Sequence, residues 1–123
     1  MKVFICEQDQ SRAKSMQDIL GVYNYTVVTI NKQTDLVKEV TSHRPAVIIM
    51  NECFAKNSGS DTLNSLRRDP ITAGIPVIFI GKDHGFFGDA DALTEYVEEP
   101  IKIKNLRHYI DRWTIFKSLY IKH

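Results

Sequence analysis

The sequence predicts a doubly wound α/β fold with a five-stranded parallel sheet. Short apolar runs, typical of buried strands, alternate five times along the 123 residues with stretches whose apolar residues recur every three or four positions, as in amphipathic helices. The connections between them are short, and right-handed crossovers then place helices on both faces of the sheet. In such sheets ligands bind at the carboxyl ends of the strands.

The first half of the chain supplies three strands and two helices. Residues 2–6 (KVFIC) are apolar after Lys2, residues 46–50 (AVIIM) are apolar throughout, and 25–30 (YTVVTI) is rich in β-branched residues. Between these strands, residues 11–23 carry apolar residues at helical spacing, and residues 34–44 do so until a proline ends the helix.

The second half of the chain repeats the alternation. Strands are predicted at 75–80 (IPVIFI) and 95–98 (EYVE). The predicted helices are a short one that carries Leu63 and Leu66 and begins at a Ser60 or Asp61 cap, another short one around 89–94, and a long C-terminal one from about Ile103 to near Tyr120.

Composition and charge exclude several classes of protein. Sixteen basic and fifteen acidic residues give no general attraction to nucleic acid or anionic membranes. No apolar run approaches the ~20 residues of a membrane helix, and the first ten residues lack signal-peptide features, so we expect a cytoplasmic protein. Cys6 and Cys53 lack metal-ligand spacing and are expected to be free thiols, with no metal and no cofactor. We expect a single domain over residues 1–123.

Short polar or charged segments stand after each predicted strand, namely Glu7-Gln8-Asp9, Asn31, Asn51, Gly81-Lys82 and Glu99-Pro100. Their positions resemble those of the response regulator receiver domain over residues 1–113. In that family an acidic pair follows the first strand, a phosphoacceptor Asp the third, a Thr or Ser the fourth and a Lys-Pro pair the fifth. Pro45, Gly59 eight positions after Asn51, and Tyr96 three before the Lys position also match.

The resemblance implies a flavodoxin-like (CheY-like) sheet with strand order 2-1-3-4-5 and a core over about 1–113. It also implies a cis bond between Glu99 and Pro100, and partner binding through the face of the fourth helix, fifth strand and fifth helix. The segment between Gly81 and Tyr96 is short and glycine-rich, which predicts a remodelled, short fourth helix.

The chain departs from the family at four positions of the phosphorylation pocket. Asn51 replaces the acceptor Asp, and a carboxamide is a poor nucleophile. Gln8 replaces the second acid beside a longer first acid, Glu7, which predicts poor Mg²⁺ binding. Gly81 lacks the hydroxyl, and Glu99 reverses the charge of the Lys. These changes predict a degenerate pocket in a phosphorylation-independent pseudo-receiver of bacterial two-component or motility signalling, with no enzymatic activity.

The pocket residues also have simpler interpretations. Asn51 can cap a strand end by bonding backbone, or keep a signalling role. Glu7 and Asp9 can favour the positive end of the first helix, or form a weak cation site. We expect Glu99 to form an ion pair with Lys82 or Lys56.

Function in such a protein shifts to its surface. The candidate interaction surface comprises Phe86, Phe87, Tyr96, Tyr109, Trp113 and Phe116. Apolar residues of the C-terminal helix predict a homodimer contact or a docking helix, with a helix that only covers the core as the alternative. We expect a protein partner, and neither nucleic acid nor membrane.

Two rival functions remain open from the sequence. The first is a receiver phosphorylated at another acid, Asp9 or Asp61. The second is a small cysteine phosphatase, because Cys6 and Arg12 have the C-x5-R spacing of that class. The intervening residues include two acids and no glycine, which is unfavourable for a loop that binds phosphate through backbone amides.

Overall fold

The computed structural model describes residues 1–31, 36–82 and 92–121, without the side chains of 55–61 and 115–121. Strands and helices alternate along it, with the last strand following a segment outside the described residues. The elements are β1 (Lys2–Cys6), α1 (Gln10–Gly21), β2 (Thr26–Ile30), α2 (Leu36–His43), β3 (Val47–Asn51), α3 (Glu52–Arg68), β4 (Val77–Gly81), β5 (Thr94–Glu98), a 3₁₀ turn (Ile103–Asn105) and α4 (Leu106–Ile121).

The five strands form one parallel sheet in the order β2-β1-β3-β4-β5. This confirms the predicted flavodoxin-like fold and strand order. Every residue of β3 and β4 is buried, as continuous apolar runs in the middle of a covered parallel sheet should be. β2 and β5 are the edge strands.

Two apolar clusters fill the space on either side of the sheet. The first lies under α2 and α3 and includes Phe4, Cys6, Phe79 and Leu66. The second lies under α1 and α4, where Leu106 and Ile110 are buried and Trp113 packs against the cluster from its edge. Leu106, Ile110 and Trp113 are therefore residues of α4 that face the sheet. Alternate side chains along each strand enter opposite clusters, as the two-residue period of a strand requires.

Helix α3 begins earlier than predicted. The sequence placed its cap at Ser60 or Asp61, but the helix begins at Glu52, directly after β3, with Asn51 as its N-cap residue. The side chain of Asn51 accepts a hydrogen bond from the backbone N–H of Cys53, 2.8 Å away. Phe54 in the first turn is buried in the first cluster, and this packing outweighs the low helix propensity of the residues that follow.

The connection between β4 and β5 is described only at its ends. The predicted short fourth helix, with Phe86 and Phe87, lies mostly outside the described residues. Its predicted end at 92–94 is wrong, because residues 92–93 form a turn and Thr94 begins β5.

Arg67 at the end of α3 fixes the loops that precede β4 and β5. Its guanidinium donates to the backbone oxygens of Ile75 at 2.8 Å and Leu93 at 3.1 Å. These two bonds set the start of the edge strand relative to its neighbour. Within the described part of the chain, no helix combines the length and apolar content that crossing a membrane requires.

Candidate functional site

The predicted pocket residues meet at the carboxyl edge of the sheet. Glu7 follows β1, Asn51 ends β3, Gly81 ends β4 and Glu99 lies just after β5. The backbone N–H of Glu7 bonds Ile30 O at 2.9 Å and that of Glu99 bonds Gly81 O at 2.8 Å, so sheet pairing continues into the site. A pocket of about 280 Å³ opens there, and it is lined by Glu7, Gln8, Asp9, Arg12, Asn51, Glu52, Cys53, Lys82 and Glu99.

Arg12 occupies the middle of this group of side chains. Its Nε lies 3.2 Å from Glu7 Oε1, and its Nη2 donates to Glu99 Oε1 at 2.7 Å. Glu99 therefore pairs with Arg12 and not with Lys82 as expected, whereas the side chain of Lys56, the other expected partner, lies outside the described residues. Arg12 reaches both acids because Asp9 caps α1, which places Arg12 in the first helical turn, beside the strand ends.

Asn51 holds Glu7 as well as capping α3. Its Nδ2 donates to Glu7 Oε1 at 3.1 Å while its Oδ1 accepts from Cys53 N–H. The backbone N–H of Asp9 donates to the other oxygen of Glu7 at 3.2 Å. A carboxylate at position 51 has no N–H to offer Glu7, so the amide is specifically suited to its neighbour.

Glu7 is an acid in an almost fully enclosed position, with 2% of its surface exposed. Burial raises the pKa of its carboxyl above the ordinary value of 4.5, and the Asp9 N–H, the Arg12 guanidinium and the Asn51 amide oppose that rise. A raised pKa in the folded state means that the folded protein binds the proton more tightly than the unfolded chain does. The stability that this proton contributes is fully present below pH 4.5 and is lost as the pH rises through the folded pKa.

We therefore expect the free-energy difference between the wild type and Glu7→Gln to depend on pH. The wild type should gain stability relative to the variant as the pH falls from 7 towards 4.5, with a slope of at most about 1.4 kcal/mol per pH unit. Urea unfolding at a series of pH values measures this difference. Asp18→Asn, which alters an exposed acid paired with Lys14, is the control and should show little such change above pH 4.5. A constant difference for Glu7→Gln would contradict the prediction.

Glu52 is a site residue that the sequence reasoning missed. Its Oε1 accepts from the backbone N–H of Lys82 at 2.8 Å, and its Oε2 accepts from the Tyr96 hydroxyl at 2.9 Å. A Cβ on Gly81 would lie 2.2 Å from Glu52 Cδ, because the Glu52 side chain fills the space beside Gly81. Two features of the sequence could have identified Glu52. It is an acidic residue directly after a predicted strand, and the next strand along the chain is followed by a glycine.

The arrangement of these acids does not fit a divalent cation. Both oxygens of Glu7 accept hydrogen bonds, Asn51 Oδ1 is used by the α3 cap, and the guanidinium of Arg12 lies against Glu7 and Glu99. Oxygen ligands for Mg²⁺ must be directed at one point, and these are directed at N–H groups. Among the described residues, no three His, Cys, Asp or Glu side chains are grouped so that they hold a metal ion.

The remaining predicted pocket residues have separate positions. Gln8 is exposed at the pocket rim. Asp9 caps α1 through Arg12 N–H at 3.1 Å, in agreement with the helix-start interpretation. Cys6 is fully buried in the first cluster, where burial raises the pKa of its thiol, and Cys53 is an exposed free thiol. The cis bond between Glu99 and Pro100 is present as the resemblance implied.

The described residues of the candidate interaction surface lie on two sides of the sheet. Tyr96 packs against the first cluster, whereas Tyr109 and Trp113 pack against the second. The Trp113 indole donates to Glu95 Oε1 at 2.7 Å, which joins α4 to β5. Phe86 and Phe87 lie outside the described residues, as do the side chains of Phe116 and Asp61.

Comparisons with solved structures support the fold. The chain resembles a receiver-modulated diguanylate cyclase from Pelobacter carbinolicus, with a TM-score of 0.80 and 16% identity over 99% of this chain and 98% of that one. It also resembles a receiver domain protein from Clostridium thermocellum, with a TM-score of 0.79 and 22% identity over 97% and 98% of the two chains. A receiver domain from Bermanella marisrubri gives a TM-score of 0.78 and 19% identity over 91% and 96%.

Sequence comparisons identify the family. An uncharacterized 76.5 kDa protein of Thiocystis violacea is 22% identical over 82 residues, which are 67% of this chain and 12% of that protein. The chain therefore matches only a small part of that relative. The family model of the response regulator receiver domain matches residues 3–111. The chain belongs to the response regulator receiver domain family.

Proposed function

We propose that this chain is a pseudo-receiver, a phosphorylation-independent protein–protein interaction module of bacterial two-component or motility signalling. In this proposal its own side chains close the pocket at the strand ends, no phosphoryl group is transferred and no reaction is catalysed. The signal is carried by a protein partner, which binds the surface formed by the segment after β4, by β5 and by α4.

The position of Arg12 is the observation that carries this proposal. A phosphoryl group brings negative charge, and its transfer requires cationic groups that are free to stabilise that charge. In this pocket the guanidinium of Arg12 already contacts Glu7 and Glu99, at 3.2 and 2.7 Å. Glu99 also directs a negative charge towards the place where the family has a Lys, so an incoming phosphoryl group would be repelled.

The other departures from the family act in the same direction. The Asn51 amide lacks the anionic oxygen needed to attack phosphorus, and both of its ends are hydrogen-bonded. Gly81 has no hydroxyl, and a side chain cannot be added there without displacing Glu52. Each of these features alone permits some residual chemistry. Together they favour a pocket whose side chains stabilise the fold and do not take part in phosphoryl transfer.

The rival functions receive less support from the geometry. The carboxylate of Asp9 caps α1 by accepting a hydrogen bond from Arg12 N–H. Phosphorylation of Asp9 would therefore remove a capping hydrogen bond from this helix. A cysteine nucleophile requires a lowered thiol pKa, whereas burial raises that of Cys6. The guanidinium of Arg12 is paired with carboxylates, which would compete with a bound phosphate.

A titration monitored by backbone amide NMR tests the proposal. The protein is titrated with Mg²⁺ and then with beryllium fluoride, a mimic of an acyl phosphate, while the amides of Asn51, Gly81 and Glu99 are followed. We expect no saturable shifts at these amides. A receiver domain that retains its Asp acceptor, measured in the same buffer, shows that the reagent is active.

A second readout covers phosphorylation at any other residue. Intact-protein mass spectrometry after incubation with acetyl phosphate and Mg²⁺ should show no phosphoryl adduct. Saturable shifts at the three amides, or an adduct removed by Asp9→Asn or Asp61→Asn, would overturn the proposal. Hydrolysis of an aryl phosphate that Cys6→Ser abolishes would favour the phosphatase instead.

A further inference from the structure

Glu52 connects three neighbouring strands of the sheet. It is the first residue of α3, directly after β3, and 7% of its surface is exposed. One carboxylate oxygen accepts from the backbone N–H of Lys82, just after β4, and the other accepts from the hydroxyl of Tyr96 on β5. A single side chain therefore extends from the central strand to the edge strand.

Glu52 takes this path because Gly81 has no side chain. To reach β5 from the end of β3, the Glu52 side chain must pass the end of β4, which lies between them. A Cβ on Gly81 would lie 2.2 Å from Glu52 Cδ and 2.5 Å from Glu52 Cγ, and such distances are not sterically possible. Glu52 and Gly81 are thus complementary, since the position of one side chain requires the absence of the other.

Tyr96 is held at both ends of its side chain. Its ring packs against the first cluster, beside the cross-strand neighbour Phe79, and its hydroxyl donates to Glu52 Oε2 at 2.9 Å. The start of β5 is held in turn by the bonds from Arg67 to Leu93 O and Thr94 Oγ1. A charge-assisted hydrogen bond to an enclosed carboxylate favours one rotamer of the tyrosine over the others.

We propose that Glu52 is a positioning residue that holds Tyr96 and the β5 edge in one fixed arrangement. The contact is made by residues of the chain itself and requires no occupant of the pocket formed by Glu7, Arg12, Asn51 and Glu99. The inference rests on the proposed function and deepens it, because it states how a surface next to β5 is presented to a partner without a phosphorylation signal.

Tyrosine ring NMR tests this inference. The protein is labelled at its five tyrosines, and the Tyr96 signals are assigned from their absence in Tyr96→Phe. We compare the wild type with Glu52→Ala, Gly81→Ala and the double variant. Glu52→Gln is the conservative variant, because its carbonyl oxygen accepts from Lys82 N–H while its amide donates to the tyrosine oxygen. The Tyr109 signals, from a ring on the opposite face of the sheet, are the internal control.

We expect one set of Tyr96 signals with a single χ1 rotamer in the wild type and in Glu52→Gln. In Glu52→Ala and in Gly81→Ala the Tyr96 signals should shift to the same new positions with averaged χ1 couplings, because the added methyl displaces the Glu52 carboxylate. The Tyr96 signals of the double variant should have the same positions and couplings as those of each single variant, because the two substitutions remove the same contact. Tyr109 should not move.

Unchanged Tyr96 rotamers in Glu52→Ala would overturn the inference, and so would a Gly81→Ala variant that leaves Tyr96 fixed. If Glu52→Ala does not fold, Glu52→Asp retains the charge at the start of α3 but is one methylene too short to reach Tyr96, and the same shift is expected in it. Beryllium fluoride titration of the wild type tests the proposed function independently. Saturable shifts in that titration would reject the proposed phosphorylation-independent function. If the χ1 couplings of Tyr96 are nevertheless averaged in Glu52→Ala, the positioning role of Glu52 is retained.

Discussion

Asn51→Asp is expected to lower the free energy of unfolding by about 2–4 kcal/mol at pH 7, and not to create a phosphoacceptor. The substitution removes the N–H that donates to Glu7 Oε1 and puts a second carboxylate in contact with an enclosed one, at the 3.1 Å separation now spanned by a hydrogen bond. The α3 cap survives, because an aspartate oxygen also accepts from Cys53 N–H. The loss therefore reports on the contact with Glu7.

The decrease in the free energy of unfolding caused by Asn51→Asp should be smaller at low pH. Two carboxylates in contact raise each other's affinity for a proton, so the pair binds a proton in the folded state at a pH where the unfolded chain has released it. Stability contributed by that proton is present at acidic pH and is lost as the pH rises through the raised folded pKa. Urea unfolding of the variant and the wild type between pH 4.5 and pH 8 measures this recovery.

A double variant provides the matched control for Asn51→Asp. In Glu7→Gln with Asn51→Asp, the amide and the carboxylate exchange places, and the glutamine N–H donates to the new aspartate. We expect this variant to recover most of the stability lost at pH 7. Equal stability of Asn51→Asp and the wild type at pH 7 would contradict the contact between residues 7 and 51. Mass spectrometry after acetyl phosphate treatment should show no adduct, because Glu99 still repels the phosphoryl group.

The fold follows from local patterns that the tertiary structure leaves intact. The apolar runs of β1, β3 and β4 are buried on both faces of the sheet, and such runs are recognisable without knowledge of their neighbours. Errors occur where tertiary packing outweighs local propensity. The start of α3 is the clearest example, since Phe54 in the first cluster and the Asn51 cap stabilise a helical turn that glycine, serine and asparagine would not favour alone.

The site was predictable as a set of strand ends, but its internal pairing was not. Glu7, Asn51, Gly81 and Glu99 are each last in, or next to, a strand, and parallel strands bring such residues together. The partner of Glu99 depends instead on how far a side chain of α1 extends across the strand ends. Arg12 and Glu52 both act through long side chains that cross neighbouring strands, and sequence spacing carries no information about that reach.

Arg12→Ala is expected to lower the free energy of unfolding by about 1–3 kcal/mol at pH 7 and to make the protein responsive to divalent cations. The guanidinium contributes the positive charge between Glu7 and Glu99, and its removal leaves two carboxylates that face one another without a counter-charge. A small hard cation can then bind where the guanidinium was, because carboxylate oxygens are its preferred ligands. Binding to the folded state alone raises the stability with cation concentration.

Thermal unfolding of Arg12→Ala with increasing Mg²⁺ or Mn²⁺ checks this expectation. The midpoint should rise with cation concentration in Arg12→Ala and stay constant in the wild type, whose own guanidinium competes with the ion. Lys14→Ala is the matched control, since it removes a basic residue of the same helix whose ion pair with Asp18 is exposed. It should behave as the wild type does, with a stability change below about 0.5 kcal/mol. An Arg12→Ala variant as stable as the wild type and unaffected by either cation would show that the guanidinium is not the counter-charge of the pocket.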